Sequence, residues 1–250
     1  EQSSIPVTKA QRSAKFVKTG FQIGGNYIKH YSKKLFNPDL TKDELNEDNA
    51  TDIYNSLSEL KGSALKIAKM LSMDKHILPK SYINKFTQSQ YNAPPLSGPL
   101  IVRTFTQSFG KTPEKIYDKF NLSSTNAASI GQVHTAELNG KKLAVKIQYP
   151  GVGDSISSDL KMVKPFAFRL LGMSEKELNI YIKEVEERLL EETDYELEVK
   201  RSIEFSEACR NLNNVVFPTY YPELSGKNII SMDWIDGLHL KEFLKTKPSQ

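Results

Sequence analysis

Cysteine is almost absent from this sequence. Cys209 stands alone among 250 residues, so a disulfide framework is excluded and the usage fits a reducing compartment. Histidine is sparse as well. His30, His76, His134 and His239 have no metal-ligand spacing, and no metal site is expected from them. The N-terminus has no apolar core of signal-peptide length, and no stretch approaches the ~20 apolar residues of a membrane-spanning helix. These absences lead to the expectation of a soluble, cytoplasmic chain. The net charge of +4 is too small to argue for nucleic acid. Such recognition needs basic residues gathered on one face, and here both signs are mostly mixed. What is present, 38% apolar and 26% charged residues, is ordinary globular composition at a length for one or two domains.

Acid is missing from one region. Across residues 1–36, Lys9, Arg12, Lys15, Lys18, Lys29, Lys33 and Lys34 face only Glu1. Phe16, Phe21, Ile23, Tyr27, Ile28, Tyr31 and Leu35 are threaded between them, several at helical spacing, while Gly20, Gly24 and Gly25 weaken the pattern. A basic amphipathic segment can lie on an anionic membrane, which would give a peripheral lipid contact. A helix packed on the protein with its lysines in water is the commoner outcome and the favoured one.

Residues 41–73 read as a long helix. Thr41 with Glu44 suggests a capping box, and Leu57, Leu60, Ala64, Ile67 and Leu71 keep the helical period. Pro79 opens a shorter helix to about Gln90, and Pro94, Pro95 and Pro99 mark a loop. A helix over Leu100–Ser108 and a short one after Pro113 complete a stretch of helix and loop.

The pattern changes at Asn126. Ile130, Val133, Ala136 and Leu138 run like a strand to Asn139-Gly140, and Leu143, Val145 and Ile147 then alternate. Asn-Gly between two extended runs predicts a hairpin, because both residues accept the positive φ of a tight turn. A helix over Asp154–Leu171 and a long acid-rich helix over Ser174–Asn211 follow. Val215–Phe217 and Ile229–Trp234 are expected as strands, and His239–Lys245 as a helix. This order describes an α+β fold. The order is the one expected of a kinase-like small lobe, an antiparallel sheet with a long helix, preceded by an all-helical extension.

Lys146 lies mid-strand in Leu143-Ala144-Val145-Lys146. A lysine there suits the solvent face of any strand, but after a hairpin it also resembles the kinase Val-Ala-Ile-Lys motif. The preceding strand begins Asn126-Ala127-Ala128-Ser129-Ile130-Gly131-Gln132-Val133-His134, with small residues where kinases carry a glycine-rich loop. Lys146-Ile147-Gln148-Tyr149-Pro150-Gly151 comes next, then Glu192-Thr193-Asp194-Tyr195 with Glu198, then Met232-Asp233-Trp234-Ile235-Asp236-Gly237.

On these motifs the sequence resembles the UbiB/ADCK family of atypical kinases, linked to coenzyme Q and other isoprenoid lipids, from about Leu60 to Leu244. The resemblance implies ATP as cofactor. Its adenine nucleotide would be held by Ala127, Ala128, Ser129, Ile130, Gly131 and Lys146, with Asp233 and Ile235 in the hinge. It implies Lys146 and Glu198 as the catalytic pair, and a regulatory contact between Lys66 and Glu192 or Asp194. Two departures stand out. The family's Lys-x-Gly-Gln signature is Lys66-Ile67-Ala68-Lys69 here, and Asn126 replaces a third alanine.

The implied division is a helical extension over 1–122, a small lobe over 123–237 and the start of a large lobe over 238–250. The thirteen residues after Gly237 contain no Asp or Asn. The catalytic Asp and Asn and the metal-binding Asp-x-Gly of a large lobe are then expected outside these residues, and Mg²⁺ binds only with them. The expected function is the ATP-binding part of an atypical kinase or ATPase in isoprenoid-quinone lipid metabolism, inactive in isolation. The alternative is a non-catalytic nucleotide-sensing or scaffold module at the membrane surface. Sequence beyond Gln250 would discriminate between them.

Overall fold

A computed structural model describes residues 8–60, 64, 66, 78–87, 95–128, 130–171, 173–238 and 240–246. Four helices come first: α1 (Lys9–Phe36), α2 (Asp43–Leu60), α3 (Lys80–Thr87) and α4 (Gly98–Phe109). Strands β1 (Lys119–Phe120), β2 (Asn126–Ala127), β3 (Gly131–Leu138) and β4 (Lys141–Gln148) follow. Then come α5 (Val152–Leu171), α6 (Glu175–Thr193), α7 (Tyr195–Ala208), β5 (Ile229–Asp233) and α8 (Leu240–Lys245).

Helix α1 starts with a reciprocal box between Thr8 and Gln11. It lies along α2, where Lys29 meets Asp48 at 3.0 Å and Lys33 meets Glu44 at 2.6 Å. Glu44 therefore serves α1. The capping box expected with Thr41 gives way to a Thr41 hydroxyl that accepts from the Asp43 N–H at 3.4 Å. Phe16, Ala50, Leu57, Leu60, Tyr82, Phe86, Ile156, Leu160, Leu178 and Leu189 form one core beneath α1, α2, α3, α5 and α6. A buried ion pair crosses it. The Arg12 guanidinium grips both carboxylate oxygens of Asp159 and donates to the Leu60 carbonyl at 2.8 Å. The packed reading of the N-terminal segment thus holds for one face of α1. The 41–73 helix is described only as far as Leu60, with Ala64 and Lys66 also helical, and residues 88–90 of the expected third helix lie outside the described residues.

The second core belongs to an antiparallel sheet in the order β1-β3-β4-β5, with β2 also on β3. The hairpin forms where expected: Asn139 has φ 51° and Gly140 φ 74° between β3 and β4. Val145, Ile147, Ile229, Ile230, Ile101, Phe105, Tyr117 and Tyr195 pack together here. Three expectations are corrected. Strand β1 lies inside the stretch read as helix and loop, and α4 contributes Ile101 and Phe105 to the sheet's core, so this core cuts across the division at residue 122. Two strand residues between polar neighbours leave no alternation to detect. The helix expected over 174–211 is two helices, broken at Asp194, where φ is −86° and ψ 85°. The Asp194 side chain accepts from the Leu197 N–H at 2.9 Å and starts α7 afresh. Val215–Phe217 is not a strand. Val215 and Val216 are exposed, and pairing with the outer edge of β5 begins only at Thr219 and Tyr220. No helix among the described residues is long and apolar enough to cross a membrane.

Candidate functional site

β4 places Leu143, Val145 and Ile147 in the core and leaves Lys146 half-buried between them. Its ammonium donates to both carboxylate oxygens of Glu198, at 2.7 and 2.8 Å. Glu198 sits one turn into α7, so the break at Asp194 sets which carboxylate reaches the strand. The Tyr195 ring lies against the same ammonium, with Nζ 4.5 Å from its centroid. Burial, and then the Glu198 carboxylate, push the Tyr195 phenol far above its ordinary pKa, so it stays neutral. Sequence reading missed Tyr195, although its position three before Glu198 puts both on one helix face.

The residues around the small-residue loop divide. Ala127 pairs with Gln132 on β3, and the Ala128 N–H donates to the Gly131 carbonyl at 2.9 Å, closing a tight turn. Ser129 lies outside the described residues. Ile130 is 3% exposed and belongs to the sheet's core. Gly131 presses against β4 so closely that a Cβ would fall 2.2 Å from the Ile147 carbonyl oxygen. Cross-strand packing alone accounts for glycine there.

Of the two carboxylates expected to face Lys66, one does. Lys66 donates to Glu192 at 2.6 Å, while Asp194 is taken up by capping. Gln148, which carried no role in the sequence reading, joins three segments. Its amide donates to the Thr193 carbonyl at 2.9 Å and accepts from Asn228 at 2.8 Å. A glutamine two residues after a strand lysine gives no such signal by itself.

In the hinge segment, the Asp233 carboxylate accepts from the Tyr221 hydroxyl at 2.6 Å and from the Thr219 N–H at 3.2 Å. The Tyr221 hydroxyl holds its pKa below the usual carboxylate range. The Asp233 side chain is thus tied to residues 219–221, and its backbone N–H donates to the Thr219 carbonyl at 2.9 Å. Ile235 is exposed. Trp234 is fixed from two sides: its backbone N–H donates to the Lys142 carbonyl at 3.1 Å, and the Lys142 ammonium stands 4.4 Å above its ring.

A strand lysine paired with a helix carboxylate beside a tight loop is the arrangement that protein kinases present to ATP phosphates. The family model described as the ABC1 atypical kinase-like domain matches residues 88–250. The chain belongs to this family. The ABC1 match leaves α1, α2 and α3 outside it, but individual relatives extend across them. The probable serine/threonine-protein kinase abkA of Dictyostelium discoideum is 29% identical over 93% of this chain and 45% of its own length. The mitochondrial atypical kinase COQ8 of Saccharomyces cerevisiae is 32% identical over 80% of this chain and 41% of its own. The mitochondrial atypical kinase coq-8 of Caenorhabditis elegans is 28% identical over 94% of this chain and 33% of its own. The chain therefore spans less than half the length of these curated relatives. Among solved structures, the Mycobacterium tuberculosis protein Rv3197 in complex with erythromycin is 30% identical, with a TM-score of 0.51 over 81% of this chain and 52% of that one. The fold is that of a kinase-like small lobe with additional helices on its N-terminal side.

Proposed function

We propose that the sheet and α7 bind an adenine nucleotide, as the small-lobe side of an atypical kinase or ATPase acting in isoprenoid-quinone lipid metabolism. The observation that carries this reading is the two-oxygen contact between Lys146 and Glu198. It holds the ammonium where the phosphates of a bound nucleotide would need it, and leaves it partly open, with 19% of its side chain exposed. Backbone of Ala127 and Ala128 would face the nucleotide on one side, and the Ile235 N–H with the carbonyls of 233–235 would offer an edge for adenine. The Lys66–Glu192 pair sets Lys66 against the α6–α7 corner. That position suits a regulatory helix better than an open groove for a protein substrate.

Mg²⁺ would arrive with the nucleotide. Among the described residues no group of three or more His, Cys, Asp or Glu could hold a metal ion. In this reading Mg²⁺ bridges the nucleotide's phosphates to carboxylates such as those a kinase large lobe carries. Titration of a fluorescent ATP analogue tests the proposal. Lys146→Ala and Glu198→Gln should each weaken binding about tenfold, in the range of a lost charge-assisted contact. Equal affinities in all three proteins would refute it.

A second reading concerns α1. The face away from α2 exposes Phe21 (78%), Ile28 (71%) and Leu35 (83%). Their seven-residue spacing puts them on one stripe. Lys18 is exposed and Lys34 partly exposed along the same helix, and no acid stands within it. We infer that this stripe rests on an anionic lipid surface. Co-sedimentation with phosphatidylglycerol vesicles, lost in Phe21→Ser/Ile28→Ser and absent with phosphatidylcholine alone, is the expected result. Equal sedimentation of the variant would remove this reading and leave the nucleotide site untouched.

A further inference from the structure

Tyr195 is completely buried at the start of α7, yet its hydroxyl meets no hydrogen-bond partner among the described residues. A buried phenol ordinarily finds one, so the hydroxyl does not explain why an aromatic side chain sits here. The ring face does. It lies 4.5 Å from the ammonium that Glu198 holds, inside the range in which a cation is drawn to an aromatic ring. Tyr195 and Glu198 are three apart on α7, so a single helical turn offers one cation both a ring and a carboxylate. The far end of the phenol reaches the start of β3, where a Cβ on Gly131 would stand 3.0 Å from its oxygen.

We propose that Tyr195 is the positioning residue of the Lys146–Glu198 pair and acts through the face of its ring. This rests on the reading that Lys146 meets the nucleotide's phosphates. A lysine carries its charge on a flexible four-carbon stem, and a single carboxylate leaves that stem several ways to reach it. Glu198 occupies one side of the ammonium and the ring covers a second. The donor left over is then directed away from both, toward the open side of the cleft. Removing the hydroxyl leaves this arrangement intact, and removing the ring does not.

The test uses the 250-residue chain with [¹³Cε]lysine, the Lys146 signal being assigned by its loss in Lys146→Ala. Ring current should move the Lys146 Hε resonances upfield in the wild type and in Tyr195→Phe. In Tyr195→Leu they should return to the position of an exposed lysine. The affinity for a fluorescent ATP analogue should follow the same order. Tyr195→Phe should stay within about twofold of wild type, and Tyr195→Leu should bind about threefold to thirtyfold more weakly, the span of cation–ring contacts from partly exposed to desolvated. A Tyr195→Phe protein as weak as Tyr195→Leu would overturn the proposal, because the hydroxyl would then be the working group. So would a Tyr195→Leu protein with unchanged shift and affinity. If Tyr195→Leu does not fold, Tyr195→Phe still decides, since loss of its shift or affinity refutes the role of the ring. Wild type that binds no nucleotide but shows the stated shifts would leave Tyr195 positioning Lys146 and remove the nucleotide reading alone.

Discussion

Lys146 and Glu198 stand 52 residues apart in sequence, and the ammonium of one touches both carboxylate oxygens of the other, at 2.7 and 2.8 Å. Their side chains are 19% and 34% exposed, so water screens the attraction and its share of folding stability is small. Glu198→Ala should therefore lower stability by less than about 1 kcal/mol in urea unfolding. Its effect on nucleotide affinity should be clearly larger, because the lysine it frees turns away from the cleft. A variant that loses several kcal/mol of stability instead would mark the pair as part of the scaffold.

The Arg12–Asp159 pair is the opposite situation. Arg12 is 3% exposed and Asp159 0%, and the guanidinium also holds the Leu60 carbonyl. Asp159→Ala leaves a positive charge buried without its carboxylate, and unfolding should become easier by about 3–5 kcal/mol. Replacing both charges, as Arg12→Met/Asp159→Leu, removes that penalty and should recover a good part of the loss. Urea titration of the two proteins separates these outcomes. A double variant as unstable as Asp159→Ala would show that the Arg12 bond to Leu60 was the important half.

Much of the sheet was legible because its signals are local. Asn139-Gly140 suits a tight turn, and the alternation of Leu143, Val145 and Ile147 marks a strand, here one that buries Ala144 and Gln148 on its other face as well. Lys146 and Glu198 were found from motif context, and Lys66 with Glu192 from one of two options left open. What escaped the sequence depends on distant partners. The break at Asp194 has neither Gly nor Pro to announce it. It follows from Asp194 turning its carboxylate onto the Leu197 N–H of the next helix, and from Gln148 holding the Thr193 carbonyl. Asp233 looked like a hinge acid, but Tyr221, twelve residues away, takes its carboxylate. Nothing in Val215–Phe217 says that pairing with β5 starts two residues later, at Thr219.

Two glycines should answer the same substitution with opposite signs. Gly131→Ala would set a Cβ 2.2 Å from the Ile147 carbonyl oxygen and 3.0 Å from the Tyr195 hydroxyl. The backbone oxygen cannot swing aside, so β3 and β4 must part locally, at about 1–3 kcal/mol. At Gly24, in the exposed middle of α1, a Cβ meets nothing within 4 Å. Gly24→Ala there gains helix propensity and should stabilise by about 0.5–1 kcal/mol. Thermal melting of the two variants against wild type reads both signs at once. A neutral Gly131→Ala would mean that the glycine serves an approaching ligand and not the strand packing.

His134 makes the fold sensitive to mild acid. It is completely buried on β3, stacked on Phe120 at 5.4 Å between ring centroids. Its surroundings also fix the tautomer. Nε2 lies 2.8 Å from the Gln132 amide nitrogen and accepts from it, because the Gln132 oxygen is engaged by the Leu96 N–H at 2.8 Å. Nδ1 therefore carries the proton, which it donates to the Asn121 carbonyl at 2.8 Å. A second proton on Nε2 would confront the N–H groups of Gln132, and no acid lies among these partners to welcome the charge. Burial, the main cause, holds the His134 pKa below its ordinary value. The unfolded chain then takes up a proton at about pH 6.5 that the folded protein refuses. Stability is fully present above that pH and falls as pH drops toward the folded pKa, by at most about 1.4 kcal/mol per unit for this one group. Urea unfolding at intervals from pH 8 to 5, for wild type and His134→Gln, measures it. The difference between the two proteins should shrink as pH falls below about 6.5. A gap that stays constant across that window would show that His134 keeps the same protonation state in both folded and unfolded chains.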